Sequence, residues 1–285
     1  MQTFHELLTE GTQLLVSAGI EEARLDAWLL LEYTADISRA WYYAHPETEA
    51  GEETALKYLE LCKQRAEHIP LQHLTHQACF MGYDFYVDER VLVPRQDTEV
   101  LAEEALDRLK EITNPKILDM CTGSGCIVES ILKFAEKKGI HLTGTGCDIS
   151  EEALKVAEEN NDHLKAGAAF VRSDLFERIE DMYDMIVSNP PYIRTEEIGR
   201  LEDEVKLHDP WIALDGKEDG LYFYRRIVKD STKYIKKGGY LLFEIGFDQG
   251  KDVAKLMEDQ GYEEIQVKKD LAGLDRVVMG RYNKE

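Results

Sequence analysis

Long apolar runs are missing from this chain: nowhere do the roughly 18 to 20 unbroken apolar residues of a membrane span occur. Its start, Met1-Gln2-Thr3-Phe4-His5-Glu6, lacks the basic-then-apolar order of an export signal. These two absences predict a cytoplasmic protein that does not engage membranes. Paired cysteines are missing as well. Cys62, Cys79, Cys121, Cys126 and Cys147 include no Cys-x-x-Cys, so neither a disulfide framework nor a zinc ribbon is expected, and buried thiols are. His73 and His76 have no third ligand near them in sequence, so no metal site is expected. Positive charge is scarce: 34 Lys and Arg stand against 56 Asp and Glu, a formal net charge of −22. No dense basic run offsets it. Such a balance repels phosphate backbones and makes direct nucleic-acid binding unlikely.

What is present suffices for a packed protein. Hydrophobic residues make up 44% of 285 residues, which a prior of about 150 residues per domain reads as one large or two modest domains. Over 1–75 the apolar residues recur at helical spacing, around Leu7, Leu8, Leu14 and Leu15, then Trp28, Leu30 and Leu31, then Leu56, Leu59 and Cys62, until Pro70 ends the run. Over 76–97 aromatic and β-branched residues flank Asp88-Glu89, which predicts a hairpin linker turning there. Over 98–285 strand-like runs alternate with helical ones. Seven strands are expected, the last two antiparallel because too few residues join them for a crossover helix. The expectation is an α/β fold: a doubly wound, mostly parallel sheet with an antiparallel edge, behind a small N-terminal helical domain.

The segment Asp119-Met120-Cys121-Thr122-Gly123-Ser124-Gly125 leaves the apolar strand run Ile117-Leu118 and enters a helix. Ligands of doubly wound sheets bind beyond the carboxyl ends of the strands, so this turn should line a pocket. A dinucleotide fingerprint would place a third glycine where Val128 stands. Asp148 ends the next strand, where a carboxylate can accept from both ribose hydroxyls of an adenosine. Asp174 follows the third strand and can accept from an adenine amino group, with Leu175 and Phe176 near the ring. Each acid alone is more simply a polar strand end. Three acids in register favour an adenosine-containing ligand.

After the fourth strand comes Asn189-Pro190-Pro191-Tyr192. Two prolines fix the backbone and remove two donors, so nearby carbonyls meet little local competition. A rigid exit turn would explain the prolines but not the amide before them and the aromatic after. A nitrogen conjugated to a carbonyl is planar and must become more tetrahedral to attack a methyl group. Two acceptors on its N–H bonds, the Asn189 side-chain oxygen and the Pro190 carbonyl, would hold it in line and stabilise the charge that builds on it. No histidine is needed as base, because the nitrogen becomes acidic once methylated.

This tetrapeptide is similar to the signature of amino-group methyltransferases acting on DNA bases or on glutamine. Pro70-Leu71-Gln72-His73-Leu74-Thr75, Val91 to Glu99, and the stretch Asp209-Pro210-Trp211-Ile212-Ala213-Leu214 with Asp219-Gly220-Leu221 and Tyr224-Arg225-Arg226-Ile227 narrow the resemblance to the peptide chain release factor glutamine methyltransferases (the PrmC or HemK family). The resemblance covers essentially the whole chain. It implies a seven-stranded methyltransferase sheet, S-adenosyl-L-methionine as methyl donor with S-adenosyl-L-homocysteine as product, and release factors as partners, methylated on the amide nitrogen of the glutamine in a Gly-Gly-Gln loop. It implies that Asn189, Pro190, Pro191 and Tyr192 hold that glutamine, and that Asp119, Cys121, Thr122, Gly123, Ser124, Gly125, Asp148, Asp174, Leu175 and Asn189 meet the cofactor. The residues of the helical domain and of the polar loop 194–220 are expected to dock the protein substrate.

Three positions depart from the family pattern. Cys121 and Lys217 stand where glycines are usual, and Gln96 where a second proline is usual. Arg95 and Glu99 either shape the linker and the active-site mouth or form an ordinary helix-start pair. Three alternatives stay open on sequence: a glutamine methyltransferase of a ribosomal protein, a nucleic-acid amino methyltransferase, which must extrude its base and wants a basic face, and a non-catalytic release-factor-binding protein.

Overall fold

The computed structural model describes residues 2–110 and 112–284. Met1, Glu111 and Glu285, which fall within the expected domain spans, lie outside the described residues. The chain forms two compact units, 2–77 with 202–208, and 78–201 with 209–284.

The first unit is helical: α1 (Phe4–Ser17), α2 (Ala23–Ala35), α3 (Arg39–Ala44), α4 (Glu52–Ala66) and α5 (Leu71–Thr75). Thr3 opens α1 with a capping box, its hydroxyl accepting from the Glu6 amide while the Glu6 carboxylate accepts from the Thr3 amide. Leu7, Leu30, Leu31 and Tyr58 are fully buried among these helices, each Leu contributing about 1.5–3 kcal/mol relative to exposure. Arg65, buried among these helices, anchors the interior. Its guanidinium pairs with Asp26 at 2.7 Å and with Glu204.

The second unit begins with a hairpin, β1 (Ala78–Phe80) and β2 (Tyr83–Phe85). It turns at Met81-Gly82, not at Asp88-Glu89 as expected. The physical reason is local: the Asp88 carboxylate accepts from the Arg90 amide at 3.0 Å and grips the same residue's guanidinium. That closes a tight turn with no room for strand pairing. Val87, Val91 and Val93 instead pack as extended chain against Ala153 and Val156. The alternation of β1 also turns Cys79 outward, so this thiol is exposed where burial was expected.

A helix α6 (Glu99–Leu109) then leads to the sheet: β3 (Lys116–Met120), α7 (Cys126–Lys137), β4 (Thr143–Asp148), α8 (Glu151–Leu164), β5 (Ala169–Arg172) and β6 (Tyr183–Ser188). The stretch expected as a polar loop holds three short helices, α9 (Thr195–Ile198), α10 (Asp203–His208) and α11 (Trp211–Leu214), of which α10 belongs to the helical unit. Next come α12 (Tyr222–Ser231), β7 (Ile235–Glu244), α13 (Gly250–Gln260), β8 (Tyr262–Lys269) and β9 (Asp275–Tyr282). The strand order is β5-β4-β3-β6-β7-β9-β8. All neighbours are parallel as far as β7, and β9 is antiparallel to both β7 and β8. Ile117, Leu118, Met185, Ile186 and Val187 are fully buried, because helices cover both faces of a parallel sheet and its central strands become unbroken apolar runs. Among the described residues no helix is long and apolar enough to cross a membrane.

Candidate active site

At the carboxyl ends of β3, β4, β5 and β6 lies a cavity of about 330 Å³, within the size range of small-molecule sites. Its lining includes Cys121, Thr122, Gly123 and Ser124 after β3, Asp148 after β4, Asp174 and Leu175 after β5, and Asn189 and Pro191 after β6. Sequence reasoning expected all of these at the cofactor except Pro191, which it expected at the substrate amide, with Asn189 meeting both.

Five expected site residues fall outside this lining. Asp119 is fully buried beneath the loop, outside the lining, where its carboxylate accepts from the Thr122 hydroxyl at 2.6 Å and the Val128 amide at 3.3 Å. Burial pushes its pKa up to about 7. Its work is to brace the loop. Gly125 also stands behind the lining; it takes φ +82° at the start of α7, and a Cβ there would sit 2.3 Å from the Glu129 carboxylate. Pro190 is buried and Tyr192 half-buried, neither among the lining residues. Phe176, expected beside the adenine ring, stacks on Tyr234 in the core with ring centroids 4.7 Å apart.

Asp148 is tied from both sides. Its Oδ2 accepts from the Gly123 amide at 3.0 Å and its Oδ1 from the Ser150 amide at 2.9 Å. Each oxygen keeps a further lone pair for a donor in the cavity. Burial raises its pKa. Asp174 is paired with Arg226 at 3.0 Å, a partner sequence reasoning did not supply. Ser124 is held from beneath by fully buried Asn160 of α8, whose amide donates to the carbonyls of Ser124 and Tyr86 at 3.0 Å each.

The turn after β6 is held by distant residues. Gln249 donates to the Tyr192 carbonyl at 2.9 Å. The Ile193 amide donates to Leu214 and the Gly216 amide to Ile193, so residues 214–216 run alongside the turn. A Cβ at Gly216 would lie 2.7 Å from the Tyr192 backbone, and one at Gly220 would lie 2.4 Å from its carbonyl oxygen. At Gly216 glycine is required by close approach, and at Gly220 by close approach together with a left-handed backbone, φ +74°. Asn189 Nδ2 donates to the Thr98 hydroxyl at 3.4 Å, which turns Oδ1 the other way. The Tyr192 hydroxyl donates to Glu244 Oε1 at 3.4 Å, and the other oxygen of that carboxylate is buried with no hydrogen-bond partner. Burial raises Glu244 to about 7 against the opposing influence of Thr98 and Arg276. Thr98, Gln249 and Glu244 were missed on sequence. The only signal was their polarity next to apolar runs, as in Phe243-Glu244.

Arg95 pairs with buried Asp209 at 2.9 Å, and Glu99 accepts from the Met81 amide at 2.7 Å, fastening the hairpin. The departures Cys121 and Lys217 both take left-handed backbone, φ +62° and +71°. There a side chain costs roughly 1–2 kcal/mol, which is why glycine suits both positions. Gln96 merely opens a 3₁₀ turn into α6. Burial raises the thiols of Cys121, Cys126 and Cys147, so none is poised as a nucleophile. No cluster of metal-ligating side chains occurs among the described residues.

Residues 6–75 match the family model described as the PrmC N-terminal domain, and residues 96–202 match the methyltransferase small domain. The chain is 39% identical to the release factor glutamine methyltransferase of Clostridium acetobutylicum, over 89% of this chain and 90% of that one. It is 36% identical to the protein of the same name from Clostridium botulinum, over 97% and 98%. In fold it is similar to a 16S rRNA N2 G1207 methyltransferase of T. thermophilus solved with AdoMet and guanosine, with a TM-score of 0.52 over 73% of this chain and 50% of that one at 14% identity. Two relatives at this level, aligned almost end to end, place the chain in the release factor glutamine methyltransferase family.

Proposed function

We propose that the chain methylates the side-chain amide nitrogen of the glutamine in the Gly-Gly-Gln loop of peptide chain release factors, in the cytoplasm, with S-adenosyl-L-methionine as donor. The observation that carries the reading is the orientation of Asn189. Its nitrogen is spent on Thr98, which leaves Oδ1 as an acceptor beside the cavity. Among the described residues no backbone N–H donates to the Pro190 carbonyl, the second acceptor. These two oxygens grip the two N–H bonds of a planar amide and turn its lone pair towards the methyl carbon. As the new N–C bond forms and the donor's S–C bond breaks to leave a neutral thioether, they would stabilise the positive charge on nitrogen, whose proton then leaves to water. Preorganised acceptors of this kind are worth about 10²–10³ in turnover each.

The cavity suits the donor. Asp148 retains lone pairs for ribose hydroxyls, Leu175 offers an apolar wall, and Thr122, Gly123 and Ser124 supply the backbone approach. S-adenosyl-L-methionine supplies the methyl group on a positively charged sulfur. Pro191 and Tyr192 stiffen the acceptor turn. The helical unit and the segment 194–220 dock the protein substrate, and direct nucleic-acid contact is disfavoured by the net charge of −22.

The test is methylation of release factors, intact or with the loop glutamine replaced, followed by mass spectrometric mapping. Asn189→Ala should lower turnover at saturating cofactor about 10²–10³-fold. Methyl incorporation that survives loss of the glutamine would refute the assignment.

A further inference from the structure

The two ends of a side-chain amide share one shape, and backbone partners tell them apart: a carbonyl only accepts and an N–H only donates. Gln249, 2% exposed at the start of α13, meets three such partners. Its Nε2 donates to the Tyr192 carbonyl at 2.9 Å and to the Gly220 carbonyl at 3.4 Å, and its Oε1 accepts from the Gly246 amide at 2.9 Å. The flipped amide would set its oxygen against two carbonyls. One orientation remains.

The backbone of Gln249 is fixed as well. Its N–H donates to the Gly246 carbonyl at 2.9 Å and its own carbonyl accepts from Val253 at 3.0 Å, so a tight turn after β7 runs directly into α13. The amide fills a slot bounded by two glycines. A Cβ at Gly220 would lie 2.6 Å from Nε2, and one at Gly246 would lie 3.0 Å from Oε1.

The consequence falls on the turn after β6, where Asn189-Pro190-Pro191 spans two feet. The upstream foot is Ser188, paired with Met120 and Phe243 in the sheet and donating its hydroxyl to the Met120 carbonyl at 2.7 Å. The downstream foot is the Tyr192 carbonyl, which Gln249 reaches from 57 residues along the chain. Proline rings stiffen the span but do not decide where it lands. Without the Gln249 donor the Tyr192 peptide is free to rotate, and a stiff span carries that rotation to the Pro190 carbonyl.

We propose that Gln249 is a positioning residue for the methyl transfer: it pins the downstream foot of the turn and so sets the angle at which the Asn189 and Pro190 oxygens meet the substrate nitrogen. The inference rests on the proposed glutamine methylation and adds to it a residue that lies outside the cavity lining and acts only through the turn.

The experiment compares wild type, Gln249→Met and Gln249→Asn on an intact release factor, with kcat, the KM for release factor and the cofactor dissociation constant measured separately. Gln249→Met keeps the volume and loses the donor. Gln249→Asn keeps the amide but is one methylene too short to span Gly246 and Tyr192. Each should lower kcat roughly 10- to 100-fold, as a displacement of about 1 Å would, with KM and the dissociation constant unchanged. General loosening of the fold would move the cofactor constant too. In an Asn189→Ala background Gln249→Met should cost less than it does in wild type, because both act through the same turn. If Gln249→Met does not fold, Gln249→Asn decides. A wild-type kcat in the folded variant, a cofactor constant that weakens in step with kcat, or full additivity with Asn189→Ala overturns the inference and leaves the glutamine assignment standing. A wild-type enzyme that leaves the loop glutamine unmodified fails the assignment itself, and this inference with it.

Discussion

Two turns meet at the cavity, and they are held by opposite means. The loop after β3 is supported from nearby: Asp119 braces Thr122, Asp148 on the adjacent strand braces Gly123, and α7 starts directly behind it. The turn after β6 has its own prolines, but its fixings come from far along the chain, at Thr98, Leu214, Gly216, Glu244 and Gln249. On the proposed function the loop has only to hold its ligand, whereas the turn has to aim two oxygens at a nitrogen within a fraction of an ångström, and several remote anchors restrict it better than local ones.

The comparison breaks most visibly at Gly216. Gly216→Ala puts a Cβ within 2.7 Å of the Tyr192 backbone, so the turn must shift. We expect turnover to fall roughly 100-fold with cofactor affinity kept, measured by methyl transfer and by calorimetric titration. A normal rate would mean that the turn tolerates displacement. The converse variant is Asp148→Ala, which should weaken the cofactor by about 10-fold or more, as loss of charge-assisted bonds worth about 1.5–3 kcal/mol implies. Turnover at saturating cofactor should change less. An unaltered dissociation constant would remove Asp148 from the binding site.

The smallest effect concerns the foundation of the loop. Glu129 on α7 is fully buried beneath Gly125, and neither carboxylate oxygen has a hydrogen-bond partner. Burial, with Asp119 adding to it, raises its pKa to about 9. The unfolded chain releases this proton near pH 4.5 and the folded one does not, so the penalty is absent below that pH and grows as pH rises towards about 9. Glu129→Met should therefore stabilise the protein by about 1–3 kcal/mol at pH 8 and by little at pH 4.5, read from denaturant unfolding. Equal gains at both pH values would show that the acid is not held neutral.

This contrast also explains what could be read in the sequence. The alternation of apolar runs and helical spacings carries the sheet, because parallel strands are buried on both faces and announce themselves as Ile117-Leu118 or Tyr240 to Ile245 do. The loop after β3 was legible since its glycines and its acids are contiguous or follow strand ends. Asp119 was read as a ligand contact because sequence shows that an acid is there but not which way it faces. The hairpin was placed seven residues too late (88 − 81), because Asp88-Glu89 looks like a turn and is one, yet its own Arg90 closes it. Thr98, Gln249 and Glu244 were invisible. Their part depends on strands and helices brought together only by the tertiary fold, and no local spacing encodes that.

The excursion of α10 into the helical unit has a practical side. The chain enters that unit, leaves after Gln77, and returns for residues 202–208 before resuming in the catalytic unit at Asp209. No single cut divides such a molecule. A fragment ending at residue 77 forfeits Glu204 as a partner of Arg65, and its complement carries an orphan helix. Whoever wishes to dissect the protein must excise a loop and not trim an end.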